Sequence, residues 1–116
     1  MAHLMLDGVE ATGASASIFP KKVVKDHTVA CYYIDADSSV TAVTVNLEAS
    51  DDNRGVADAD AHWYTLASYS LAADEITAKK AMFHVINKPV KRVRLKLDVF
   101  TGAGSGDKLY GRYIPY

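Results

Sequence analysis

The stretch SVTAVTVNLEAS, Ser39–Ser50, alternates between apolar and polar side chains. Val43, Val45, Leu47 and Ala49 share one phase of a two-residue period, and Thr44, Asn46, Glu48 and Ser50 share the other. Successive side chains of a strand point to opposite faces, so this is the pattern of a half-buried β-strand. On a helix the same residues would scatter around the axis. KRVRLKLDVF, Lys91–Phe100, repeats the device, with Val93, Leu95, Leu97 and Val99 facing one way and Arg92, Arg94, Lys96 and Asp98 the other.

Working outward, HTVACYYI (27–34) is rich in β-branched and aromatic residues and is expected to bury Val29, Cys31 and Tyr33. HWYTLASYSL (62–71) predicts a strand over Trp63 to Ala67. KLYGRYI (108–114) predicts the last strand, reached through TGAGSGD (101–107), whose glycines allow the positive φ of a hairpin loop. In LAADEITAKKAMFHVI (71–86), helix formers run from Ala72 to Lys80, and Met82 to Ile86 reads as a short strand halted by NKP. The whole segment is read as mostly strand. Several short strands without a long amphipathic helix predict an all-β fold, an antiparallel β-sandwich or jelly-roll-like barrel. Residues 16–116 form its single domain, and residues 1–15 an extended N-terminal arm laid against a neighbouring chain.

The bulk properties narrow the function. A chain of 116 residues fits one domain, with no room for separate catalytic and substrate domains. It is 49% hydrophobic and 23% charged, as ordinary globular proteins are. A net charge of −1 argues against non-specific nucleic-acid binding. Cys31 is the only cysteine, which excludes an intrachain disulfide and agrees with a reducing cytoplasm. MAHLMLDGVEATGASAS (1–17) lacks the basic and apolar regions of a secretory signal, and no run is long enough for a membrane helix.

The chemistry-bearing residues cluster in LEASDDNRGVADADAHWYTL (47–66), which holds four aspartates, a histidine and the only tryptophan. Asp58, Asp60 and His62 occupy alternate positions, and an extended backbone would put them on one face within reach of a divalent ion. Asp51, Asp52 and Asn53 add oxygens, but the calcium-loop pattern is incomplete, because no acidic residue closes the site. The interleaved Ala57, Ala59 and Ala61, with Asp, Asn and Gly, favour a solvated hairpin loop without metal or cofactor. His3, His27, His62 and His84 show no ligand spacing, no serine sits in a nucleophile elbow, and Cys31 lies in an apolar strand where a thiol is inert. No enzyme activity is expected.

Contact surfaces remain. Arg92, Arg94 and Lys96, extended by Lys88 and Lys91, form a cationic stripe, and Asp51 and Asp52 supply a patch that could meet it in another copy. Leu4 and Leu6 of the arm are further contact candidates. Trp63, Tyr64, Tyr69, Tyr110, Tyr113 and Tyr116 are candidates for a flat sugar-stacking platform, though tyrosines on strands more often serve packing.

The succession SVTAVTVNLEASDDN, HWYTLASYSL, AMFHVINKPVKRVRLKLDVFTGAG and YGRYIPY resembles a recurrent type of small β-sandwich protein in tailed bacteriophages. Shared are a strand ending in an acidic turn, a tryptophan opening the next strand, a KPV bend before an arginine-bearing strand, and a glycine-rich hairpin. The resemblance spans Val40 to Tyr116 and implies a non-enzymatic virion protein, a capsid decoration or cement protein bridging shell subunits. It would be made in the host cytoplasm, homo-oligomeric, and bound to the major capsid or other virion proteins, not to nucleic acid or membrane. A tail, neck or fibre-associated role, or a carbohydrate-binding module, are the alternatives.

Overall fold

Leu47 and Leu95 face each other across one strand pair, as do Val45 and Leu97, and Ala49 and Val93. They are the apolar phases of the two most regular segments, and apart from Ala49 none has any surface exposed. Complete burial of a leucine or valine stabilises by about 2 kcal/mol. Around this pair the computed structural model, which describes residues 2–20 and 24–115, builds eight strands and one short helix. The strands are β1 (His3–Val9), β2 (Gly13–Ala14), β3 (His27–Ile34), β4 (Ala42–Ser50), β5 (Tyr64–Ser70), β6 (Lys80–Val85), β7 (Arg92–Thr101) and β8 (Lys108–Pro115); α1 is Ala73–Ala78.

Two four-stranded sheets pack face to face, in the orders β1-β8-β3-β6 and β2-β7-β4-β5. The orders follow from one operation. β1 pairs with β8, β2 with β7, β3 with β6 and β4 with β5, all antiparallel. These are the rungs of one long hairpin folded at the β4–β5 loop. Rolling that hairpin adds the pairs β3·β8 and β4·β7 and leaves the sandwich called a jelly roll. The first sheet sends Leu6, Val29, Cys31, Tyr33, Phe83, Val85, Leu109 and Tyr113 into the shared core. Gly111 sits at a tight point between the sheets, since a Cβ there would press on the Leu6 and Leu95 side chains at 3.1 and 3.2 Å.

Two expectations are corrected. Residues 3–9 are not an arm: β1 is an edge strand of the sandwich, and Leu6 is 1% exposed beneath it. Residues 13–18 continue along β7, where Ser15 N and Ile18 N donate to the carbonyls of Leu95 and Val93. Of the apolar residues near the N-terminus, Leu6 is therefore covered within the chain, whereas Leu4 stays 47% exposed. TGAGSGD is also not a hairpin, because β7 and β8 lie in different sheets. It is a crossover in which Gly102 adopts φ +83° against the Ser39 carbonyl.

The ambiguous segment 71–86 divides into both its readings. Ala73–Ala78 makes a short helix bridging the two sheets, and Lys80–Val85 makes β6. Glu75 accepts a hydrogen bond from Ala72 N at the helix start, and Lys79 closes the end at φ 61°. Tyr33 Oη donates to the Ile76 carbonyl at 2.7 Å, tying the helix to β3. Cys31 is buried, and burial pushes its thiol up to about 11.

One buried polar pair locks the far end. His27, 1% exposed, has Nε2 at 2.9 Å from the Lys88 carbonyl and Nδ1 at 2.6 Å from Tyr113 Oη. A carbonyl can only accept, so Nε2 carries a proton, and in the neutral imidazole Nδ1 then accepts from the tyrosine. The ring thereby joins β3, β8 and the β6–β7 link. Tyr113→Phe removes the donor and leaves a buried acceptor unpaired, a loss of about 1–3 kcal/mol. Urea unfolding of the variant should show it as a lowered midpoint at unchanged slope; an unchanged midpoint would contradict the tautomer assignment.

Candidate functional site

The β4–β5 loop, the tip of the rolled hairpin, is built around a buried cation. Arg92, at the start of β7, keeps 2% of its side chain exposed, although its phase in the strand predicted an outward position. The loop folds back over it. Arg92 Nη2 donates to Asp58 Oδ1 at 2.6 Å and to the Val56 carbonyl at 2.9 Å, Nη1 donates to the Asn53 carbonyl, and Nε donates to Ser17 Oγ. The guanidinium also lies over the Phe19 and Trp63 rings, at 4.8 and 5.2 Å. Trp63 in turn donates from Nε1 to the Asp58 carbonyl and carries Arg94 at 4.2 Å.

The expected metal ligands therefore go separate ways. Residues 53–61 are wound into turns rather than extended, with Val56 N bonded to the Asn53 carbonyl, and Asp60 N and Ala61 N to the Ala57 carbonyl. Asp58 serves Arg92 and Ser17, while His62 N and Nδ1 turn to Asp52 Oδ2 at 2.6 and 3.3 Å. Asp60 and Asp51 stay exposed. The donation from the Ser17 hydroxyl holds the Asp58 carboxyl down at about 2 against the opposing effect of desolvation, with Ser17 N and Arg92 adding to it. The backbone N–H of His62 likewise holds Asp52 below the ordinary carboxylate range.

The cationic stripe on β7 is neutralised within the chain. Arg94 Nε meets Glu48 Oε1 at 2.7 Å, and Lys96 Nζ lies 3.6 Å from Asp98. With Arg92 on Asp58, each of its three cations has its own carboxylate. The aromatic candidates are similarly dispersed. Tyr69 stacks on Phe83 and donates to Glu75, Tyr113 is buried, and Tyr116 lies outside the described residues. Tyr64 alone of them is largely open, 62% exposed beside a groove of about 300 Å³ with Asp51, Leu66 and Lys91 on its walls.

Among the described residues, carboxylates within ligand reach of one another occur at Asp35, Asp37 and Asp107, where the β3–β4 and β7–β8 crossovers meet. Three such oxygens suit a hard cation, but here they hold the loops. Asp35 accepts from Ser39 N and Val40 N, and Asp107 accepts from Gly104 N. Burial alone would raise the Asp35 carboxyl, yet the hydrogen bonds it accepts from Val40 N and from Ser39 keep it below the usual value.

The surface that stands out is the outer face of the first sheet. The registers place Leu4, Arg112, Ala30 and Met82 in one row across β1, β8, β3 and β6, and Tyr110, Tyr32 and Lys80 in the next. Lys108 and Ile34 follow as neighbours. Leu4, Tyr32, Ile34 and Met82 are 42–55% exposed. Tyr32 and Tyr110 stack with centroids 5.0 Å apart. Antiparallel sandwiches usually turn polar side chains to water on this side. Of the contact residues read from the sequence, only Leu4 belongs here; Leu6 points into the core. The missed signal was in β3, HTVACYYI, whose even positions Ala30, Tyr32 and Ile34 are as apolar as its odd ones.

No family model and no curated protein matches the chain. Among solved structures, the crystal structure of SPBc2 prophage-derived protein YomS is similar, at 10% identity and a TM-score of 0.58, over 100% of this chain and 92% of that one. At that identity the likeness concerns the fold, an all-β sandwich. Among the described residues no helix is long and apolar enough to cross a membrane.

The Asp58 geometry has a pH signature. Its carboxyl titrates lower in the folded chain than the ordinary 3.8, so the stabilisation is complete above 3.8 and is lost as pH falls towards 2. Because Asp58 is 37% exposed, solvent screening limits the effect to about 1 kcal/mol. Asp58→Asn should therefore unfold more readily than the parent at pH 7 and match it near pH 2 in denaturant titrations. An equal deficit at both pH values would show that the charge is not involved.

Proposed function

We propose that this chain is a non-enzymatic structural protein of a tailed-phage virion, a capsid decoration or cement protein that docks on shell subunits through the outer face of its β1-β8-β3-β6 sheet. The observation that carries the reading is that face. Four large apolar side chains stand open on a rigid sheet, whereas the charged stripe of the other sheet is satisfied internally. Exposed apolar side chains gathered on one sheet face mark a contact site more often than a solvated surface. Support for the phage setting comes from the sequence resemblance and from the full-length likeness in fold to a prophage-derived protein.

The magnitudes suit a cement. Covering the exposed halves of Leu4, Tyr32, Ile34 and Met82 yields on the order of 4 kcal/mol in total. That corresponds to about millimolar affinity even before the entropic cost of association. One such contact is weak, and holding firmly on an ordered surface would require several copies of the chain linked to one another so that their repeated contacts act together. A shell lattice offers that repetition, and so does the tail or neck of a virion, which is the nearest competing location. The open Tyr64 beside its groove favours a second reading, carbohydrate binding, in which the ring would stack on a sugar.

The test is mass spectrometry of particles banded on a density gradient after induction of the element that encodes the chain. The expected result is comigration with intact particles in many copies, and loss of the protein from the band in a folded Met82→Glu variant. Recovery only at the top of the gradient rejects the virion role. Glycan-array binding abolished by Tyr64→Ala would transfer the assignment to the carbohydrate reading.

A further inference from the structure

The apolar side chains of the outer face are bracketed by charges of one sign. Lys80 on β6 and Lys108 and Arg112 on β8 are all exposed, and the registers place them beside Tyr32, Ile34 and Ala30. The ion pairs among the described residues, those of His62, Arg92, Arg94 and Lys96, include none of these three cations. The only acidic residue in the four strands of this sheet is Asp7, on the edge strand β1. The two sheets thus treat their cations in opposite ways, one pairing each with a carboxylate and the other leaving them unpaired around an apolar centre.

We propose that the partner seated on this face is a protein surface of complementary make-up, an apolar centre ringed by aspartates and glutamates that take Lys80, Lys108 and Arg112. The inference rests on the docking reading above and specifies its partner. Charge decides against a second copy seated face to face, because a twofold axis through the patch would set these cations against their own equivalents with one aspartate per chain to offset them. The aromatic geometry decides against single-stranded nucleic acid, which needs ring faces free for bases. Tyr110 is flanked by Tyr32 on one side, with the rings 15° from parallel, and by Gly8 on the other, close enough that a Cβ there would meet the ring at 3.3–3.5 Å. Both faces of Tyr110 are thus occupied, which leaves at most one face of Tyr32 for a base, beside the aliphatic Leu4, Ile34 and Met82. Tyrosine, methionine and arginine together are the composition of protein interfaces.

The experiment is selection of a displayed library of random 12-residue peptides on the immobilised full chain, followed by titration of synthetic copies of the selected sequences. Enrichment of Asp and Glu around Leu, Phe or Trp is expected, with affinity falling at least tenfold from low to high salt, as screening requires. The double variant Lys80→Glu, Arg112→Glu should lose at least tenfold for these peptides, and partners with the acids changed to lysine should recover it. Melting curves establish that the variants are folded.

Selected peptides without acids, salt-insensitive binding, or peptides whose binding survives Met82→Glu would overturn the proposal. So would Tyr32-dependent binding of a 20-residue oligothymidylate, which would point to nucleic acid, or a sedimenting dimer abolished by Met82→Glu, which would point to a second copy. If the chain comigrates with particles through Met82 while the selected peptides are not acidic, the docking reading stands and the carboxylate partner falls.

Discussion

A buried guanidinium is the constraint around which the rest of this molecule is arranged. A charge withdrawn from water is tolerated only when its donors are satisfied and an opposite charge stands beside it. Arg92 meets that requirement with Asp58, Ser17 Oγ and the carbonyls of Asn53 and Val56, drawn from two segments far from it in the chain. The β4–β5 loop must close over β7 to supply them. Since that loop is the bend of the rolled hairpin, its position fixes how β4 lies between β5 and β7. Ser17 binds the early chain to the same point, so the run from Gly13 to Ile18 follows β7 instead of projecting from the body.

The two outer surfaces express different uses of charge. On the β2-β7-β4-β5 side, cations and carboxylates stand on the same sheet or its loops and cancel locally, which leaves little for a partner to gain. On the β1-β8-β3-β6 side the cations come from strands that are distant in sequence and carry almost no acid. The apolar residues between them follow from β3, which is apolar on both faces. A strand of that kind is ordinary in a sheet covered on both sides and costly in one that is open.

The sandwich class was legible in the sequence because it depends on a local period. Val43 to Ala49 and Val93 to Leu97 alternate within single segments and bury the phase read from them, whereas a bulge at Asp98 sets Val99 opposite Thr44 and turns Phe100, not Val99, to the core. Features set by non-local pairing were hidden. β1 resembled an arm because its partner β8 lies at the other end of the chain, with His3 opposite Tyr113. TGAGSGD carries the glycines of a tight turn, yet the rolled topology uses it to change sheets. Arg92 sits on the polar phase of its strand, and only the folded loop above it makes that position an interior one. Lys80, Lys108 and Arg112 attract no notice singly, because it is strand order that gathers them. Asp35 and Asp107 are joined in the same way, by two crossovers that meet in space.

The place of β8 has a consequence for the order in which the molecule can form. β8 lies between β1 and β3, so the first sheet has no continuous hydrogen bonding until residues 108–115 are available. The β4–β5 hairpin can close early, because short loops lose little entropy, whereas rungs joining the chain ends wait for nearly everything between them. During synthesis, β1 and β3 must therefore remain without their shared neighbour while the second sheet is already competent to assemble. The apolar outer face comes into existence only with the final strand. A chain in which β8 is not yet in place has no such surface to offer, and any partner that reads it selects molecules with the first sheet complete.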